Sequence, residues 1–105
     1  MFKIIRTDSS DKDFQNLVSA LDADLKKRDG KDHSFYAQYN KIDALKYTMV
    51  AYENETPVGC GAIKEYAPGT MEVKRMYVPP HKRGQGIASK ILIELEKVFE
   101  ALLME

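Results

Sequence analysis

Met71-Glu72-Val73-Lys74-Arg75-Met76-Tyr77-Val78-Pro79-Pro80-His81-Lys82-Arg83-Gly84-Gln85-Gly86-Ile87-Ala88 decides how the rest of the chain is read. Met71 to Val78 is a strand-like run, and Pro79-Pro80 stops it because proline has no N–H for a sheet ladder. Gly84 and Gly86 then bracket Gln85, and apolar residues recur at helical spacing from Ile87 through Ile91, Leu92, Leu95, Val98, Phe99 and Leu102. The glycines allow a sharp backbone turn and close approach of a ligand. The first turn of a helix carries unpaired N–H groups and the positive end of the helix dipole. Strand, turn and helix start together make a place for phosphate oxygens, with Lys82 and Arg83 as cationic donors beside it. The plainer alternative is a glycine-rich turn at a helix start, ringed by surface basic residues.

Upstream of this stretch the chain divides cleanly. Phe2 to Arg6 is a short run with β-branched residues, a first strand. Ser10 can cap a helix, with Asp13 in a box-like position three residues on. Phe14, Leu17, Val18, Leu21 and Leu25 mark one face of that helix, about four turns long. Lys26, Lys27 and Arg28 suit its last turn, and Gly30 can end it. Lys31 to Leu45, with His33, Phe35, Tyr36, Tyr39 and Ile42, has no clean period and fits either a short helix or an aromatic loop. Lys46 to Tyr52 and Val58 to Tyr66 are the next strands, separated by a turn at Asn54-Glu55-Thr56-Pro57. Ala67-Pro68-Gly69 turns the chain into the last strand. Short turns between successive strands imply antiparallel hairpins. The expected fold class is therefore α+β: a mostly antiparallel sheet of about four strands flanked by helices, in the order β-α-(α)-β-β-β-α.

Composition narrows the function. A chain of 105 residues is one domain's worth, and a fold of this size buries about two-thirds of the surface its unfolded chain exposes. Sixteen Lys and Arg balance sixteen Asp and Glu, so no overall field draws the chain to nucleic acid or to an anionic membrane. Cys60 is the single cysteine and His33 and His81 are the only histidines, which excludes an internal disulfide and makes no case for a metal site. The lone thiol fits a reducing compartment. No apolar run reaches the ~20 residues of a membrane span, and the N-terminal run is too short for a signal peptide. A cytoplasmic protein is expected.

Two phosphate motifs fail on this stretch. A P-loop needs Gly-Lys-Ser/Thr at its end, which is absent. Gly84-Gln85-Gly86-Ile87-Ala88-Ser89 approaches the dinucleotide fingerprint, but that motif needs a following parallel strand and an acidic residue about twenty positions on, and this sequence ends inside or just after the helix, so no βαβ unit can close. Residues 71–88 instead resemble the acyl-CoA-binding region of GNAT-superfamily N-acetyltransferases. The family signature is Gln or Arg, two residues, Gly, one residue, then Gly or Ala, and Arg83, Gly86 and Ala88 fill it. The apolar strand ending in a Val-x-Pro-like step, the long helix after the loop and the order of upstream elements agree with the family's N-terminal half.

The resemblance implies particular roles. Backbone amides of Arg83, Gly84, Gln85, Gly86, Ile87 and Ala88 would hold the pyrophosphate of acetyl-CoA. The pantetheine arm would bond main-chain groups at Met76 and Val78, and donors near Val78 would polarise the thioester carbonyl. A primary amine, on a small molecule or a peptide, would attack the thioester directly. Its proton needs a base or a water chain. Glu72 is the candidate, placed by period-two counting on the same face as Met76 and Val78; the plainer reading is a solvated carboxylate facing Lys46 or Lys64 across the sheet.

Other residues have plainer readings. Cys60 between Gly59 and Gly61 is a small buried strand residue rather than a nucleophile. Tyr36 and Tyr39 fit an acceptor wall or ordinary packing. His81 reads as a solvated loop histidine. Lys74 and Arg75 alternate across the strand and read as surface charges.

Family members run on after the last helix through further strands, one of which completes the acyl-CoA cleft. Residues 1–105 thus resemble a single domain cut short after that helix. An open edge strand and an uncovered helix face recruit partners, so self-association through the edge strand or the C-terminal helix is expected. Alongside the enzyme, two alternatives stand: an acyl-CoA-binding remnant without turnover, and a self-associating interaction module.

Overall fold

The structure, a computed structural model, describes residues 2–29 and 45–104. The elements run β1 (Phe2–Thr7), α1 (Lys12–Asp29), β2 (Tyr47–Glu53), β3 (Thr56–Ala67), β4 (Thr70–Tyr77), a 3-10 turn (Pro80–Lys82) and α2 (Ile87–Leu103). The four strands form one sheet in the order β1-β2-β3-β4, every neighbouring pair antiparallel. The α+β class and the antiparallel sheet are as the sequence predicts. The segment read as a short helix or an aromatic loop lies, apart from Leu45, outside the described residues.

The hairpins are tighter than the sequence suggested. Thr56 pairs with Glu53, so Pro57 belongs to β3 rather than to the turn, and the loop is Asn54-Glu55. Asn54 takes a φ of 58°, a conformation asparagine tolerates better than most residues. Ala67 pairs with Thr70 across Pro68-Gly69, and Gly69 has φ +77°; proline followed by a left-handed glycine suits a type II turn. The cap of α1 also differs from expectation. Asp11, not Ser10, accepts the Phe14 N–H at 3.0 Å. Ser10 is held by Asp8, whose carboxylate takes both its N–H and its hydroxyl.

Among the described residues, each face of the sheet carries one helix. On one face Phe14, Leu17 and Val18 of α1 pack with Val50, Cys60, Ala62 and Tyr77. On the other Ile87, Ile91, Leu95 and Val98 of α2 pack with Met49, Ala51, Val58 and Ile63. Gly59 and Gly61 explain how closely α2 lies on the sheet. A Cβ at Gly59 would meet Ile87 Cγ2 at 2.9 Å and Ile91 Cδ1 at 3.1 Å; one at Gly61 would meet Ile91 Cγ2 at 3.0 Å. Bare backbone at two alternate positions of β3 makes the trough that seats the helix. Of the described helices, none is long and apolar enough to cross a membrane.

One irregularity positions everything that follows. Cys60 pairs with Tyr77 but Ala62 pairs with Lys74, so Gly61 alone faces both Arg75 and Met76. This is a two-against-one β-bulge. Arg75 sits in it with φ 57°.

Candidate functional site

The site grows from the end of β4. Pro79 and Pro80 turn the chain into the 3-10 turn, where the Lys82 N–H donates to the Pro79 carbonyl at 2.9 Å and the Arg83 N–H to Pro80 at 3.3 Å. Gly84 and Gly86 follow with φ of +84° and +79°, and nothing lies within 4 Å of where a Cβ would stand on either. Gly86 occupies the N-cap position of α2 with no side-chain cap. The next intrahelical bond runs from the Lys90 N–H to the Gly86 carbonyl at 3.1 Å. Helix geometry therefore leaves the first-turn amides, at Ile87, Ala88 and Ser89, without intrahelical acceptors. Ala88 and Ser89 are exposed, while the Ile87 side chain is buried against Gly59. The core thus anchors the root of the amide row while its donors face outward, and the dipole favours an anion there.

The cations beside the loop have other duties. Arg83 Nε donates to the Val78 carbonyl at 2.8 Å, its Nη2 stands 3.6 Å from Asp24 Oδ2, and its guanidinium lies 5.9 Å from the centre of the Tyr77 ring. Lys82 Nζ donates to Glu53 Oε1 at 2.6 Å. That hydrogen bond first, and the lysine charge second, hold the Glu53 carboxyl below its ordinary 4.5. Both basic side chains therefore brace the loop, to α1 and to the β2–β3 hairpin, where the sequence suggested donors to a ligand. Asp24 and Glu53 went unnoticed in the sequence because each lies far from its partner along the chain and belongs to no motif.

The bulge changes the faces of β4. Glu72 pairs with Lys64, in step with Ala62, on the α1 side. Met76 and Val78 pack with the α2 core. Period-two counting placed all three on one face, and the extra residue at Arg75 breaks that phase. Glu72 is exposed and its Oε1 lies 3.3 Å from Lys74 Nζ. Arg75 is not a surface charge: its side chain is 5% exposed, and Nη1 donates to Asp22 Oδ1 at 3.1 Å. Cys60 is fully buried as expected, its Sγ donating to the Arg75 carbonyl at 3.3 Å. Burial pushes that thiol up to about 12, although the nearby Arg75 charge pulls the other way. His81 is exposed. Tyr36 and Tyr39 lie outside the described residues. Among the described residues no group of three or more His, Cys, Asp or Glu side chains could hold a metal ion. A cavity of about 440 Å³ reaches Leu102, in the last turn of α2, and so lies away from the loop.

The sequence model of the acetyltransferase (GNAT) family matches residues 12–104. The chain belongs to that family. No curated protein matches this GNAT chain. Among solved structures, a Klebsiella pneumoniae protein assigned as an acyl-CoA N-acyltransferase is similar at 27% identity and TM-score 0.72, over 96% of this chain and 65% of its own. A Lactobacillus plantarum protein assigned as an N-acetyltransferase has TM-score 0.72 at 19% identity, over 95% of this chain and 68% of its own. The PaiA N-acetyltransferase of Thermoplasma acidophilum, solved in complex with coenzyme A, has TM-score 0.60 at 18% identity, over 96% of this chain and 73% of its own. This GNAT chain thus spans about two-thirds of the Klebsiella protein it resembles.

Proposed function

We propose that the chain binds acetyl-CoA and transfers its acetyl group to a primary amine by direct attack. One observation carries the reading: the uncapped first turn of α2 opens onto the clear space beside Gly84 and Gly86, at the end of an edge strand. A Cβ at either glycine would stand in that space, so a pyrophosphate fits where side chains are missing. In this reading the amides of Gly84, Gln85, Gly86, Ile87 and Ala88 hold the pyrophosphate. Arg83, whose N–H is given to the Pro80 carbonyl, acts by fastening the loop to Val78 and Asp24. Met76 and Val78 supply main-chain groups to the pantetheine arm, and a backbone N–H polarises the thioester carbonyl.

The acceptor amine must lose a proton, and Glu72 is the proposed base. At about 3.3 Å per residue, four residues of strand separate it from Met76 by roughly 13 Å. That gap is beyond a single bridging water, so its carboxylate acts through a chain of waters, from the α1 side of β4, while the acyl carrier occupies the end of the strand.

Calorimetric titration of acetyl-CoA, paired with an assay for released CoA thiol over a panel of amines, tests this. Saturable binding is expected, abolished by Gly86→Val and weakened by Arg83→Ala with the fold intact by circular dichroism. Glu72→Gln is expected to bind acetyl-CoA normally and turn over about a hundred- to ten-thousandfold more slowly, the range of a lost general base. Binding without turnover on any amine would leave an acyl-CoA-binding module; no binding at all would sink the proposal.

A further inference from the structure

Two arginines bracket residues 76–78, the strand end proposed to hold the acyl carrier, and both are fastened to α1. Arg75 stands before that strand end, in the bulge, and its Nη1 donates to Asp22 Oδ1 at 3.1 Å. Arg83 stands after it, donates from Nε to the Val78 carbonyl at 2.8 Å, and brings Nη2 within 3.6 Å of Asp24 Oδ2. The first tie is the more demanding. Arg75 takes a φ of 57°, a left-handed conformation that glycine or asparagine adopts more readily. It also carries a charge into the interior, where Nη2 has no hydrogen-bond partner among the described residues. The Cys60 thiol donates to its carbonyl at 3.3 Å. Such a backbone conformation persists where the surroundings over-determine it, and such places cluster at functional sites.

We infer that Arg75 and Asp22 are positioning residues for acyl transfer: through their bond, α1 sets where the main chain of residues 76–78 stands, and so where the thioester is held. The inference rests on the proposed transfer reaction. Neither residue touches the acyl carrier in this reading; both act through the backbone of the strand end. That strand end lies between two layers. Tyr77 packs with Phe14, Leu17 and Val18 on the α1 side, and Met76 and Val78 pack on the α2 side. The pyrophosphate loop has a different support, because Ile87 at the start of α2 is seated in the α2 core with Val58 and Ile91. The two ends of the ligand therefore rest on different parts of the fold. Losing Asp22 misplaces the thioester while the amides at the helix start keep the pyrophosphate. A displacement of about 1 Å at the reacting atoms is enough to cost roughly a hundredfold in rate.

The experiment compares Asp22→Ala and Asp22→Asn with the unaltered chain. The asparagine variant keeps an oxygen for Arg75 Nη1 and loses only the charge. Both variants are expected to bind acetyl-CoA within about twofold of the unaltered chain, while turnover at saturating acetyl-CoA falls by about a hundredfold in Asp22→Ala and is largely restored in Asp22→Asn. In NMR spectra of Asp22→Ala the amide signals of Met76, Tyr77 and Val78 are expected to shift, and those of Gly84 and Gly86 to stay in place. If Asp22→Ala does not fold, Asp22→Glu, which moves the carboxylate by one methylene, takes its place with the same split expected. Affinity and turnover falling together, with loop and strand signals shifting alike, would show a merely structural tie and overturn the inference. Unchanged turnover or an unmoved strand end would overturn it too. An unaltered chain that turns over no amine would remove the transfer reaction itself, and the amide signals alone would then judge whether Asp22 sets the strand end.

Discussion

A methyl group on Gly59 would stand 2.9 Å from Ile87 Cγ2 and 3.3 Å from the Tyr77 carbonyl oxygen. Neither neighbour can give easily, one being packed in the core and the other backbone. Gly59→Ala is therefore expected to destabilise the fold by about 1–3 kcal/mol, the usual effect of overpacking. Urea denaturation followed by circular dichroism would read this as a lower midpoint at an unchanged slope. Gly84 and Gly86 are glycine for a different cause: open space surrounds them, and only their positive φ angles exclude other residues comfortably. The sequence made the second pair conspicuous, because a glycine pair between a strand and a helix has a recognisable chemistry. It did not show the purpose of the first pair, because the helix it receives begins 28 positions later. Nor could it show that Arg75 is buried, since the partner on α1 lies 53 residues away.

At the level of elements, the two helices of the described residues were legible from their periodicity, and the strands from their β-branched content and turn residues. Their ends were less so. Asp8, Ser9, Ser10 and Asp11 all have side chains able to cap α1, and local sequence does not rank them. Asp11 wins because its second carboxylate oxygen also takes the Thr7 hydroxyl, at 3.2 Å, which fixes it at the end of β1. Replacing Asp11 by Ala is expected to lower stability by about 0.5–2 kcal/mol, and replacing Ser10 by clearly less. Parallel denaturation curves would check the order, and an equal loss at both positions would return the cap to Ser10. Strand β4 was found as an element but misread in phase. Alternation is a rule about regular pairing, and a bulge is visible only once the partner strand is known.

For the molecule as a whole, the loop at the start of α2 is tied to its surroundings by charge. Lys82 reaches Glu53 in the β2–β3 hairpin, and Arg83 reaches Asp24 on α1. The Glu53 carboxyl is held below 4.5, so its folded pKa lies beneath its unfolded one. Linkage then has a definite sign: the contribution is present above the unfolded value and is lost as pH falls through the folded one. Because the pair is open to solvent, its strength is modest and sensitive to salt. Acidifying from pH 6 to below 4 is expected to loosen the loop before the sheet yields. The amide signals of Gly84 and Gly86 should shift ahead of those of β3, and Glu53→Gln should remove that early step. Simultaneous change at all positions would mean that the tie does not act locally. Such long-range pairs were beyond the sequence, whereas the family and the amide-lined helix start were legible from one continuous stretch.

The extra residue in β4 has a consequence for how this protein can change. Removing Arg75 would leave Met76 opposite Gly61, with Lys74 still opposite Ala62 and Tyr77 still opposite Cys60. Tyr77 would stay in the α1 layer, and Met76 and Val78 in the α2 layer. A deletion at Val73, inside the regular ladder, would instead turn over every residue on one side of the gap. Two interiors on opposite sides of the sheet thus tolerate a change of length at one place in this strand. What such a change would give up is the guanidinium that ties β4 to Asp22.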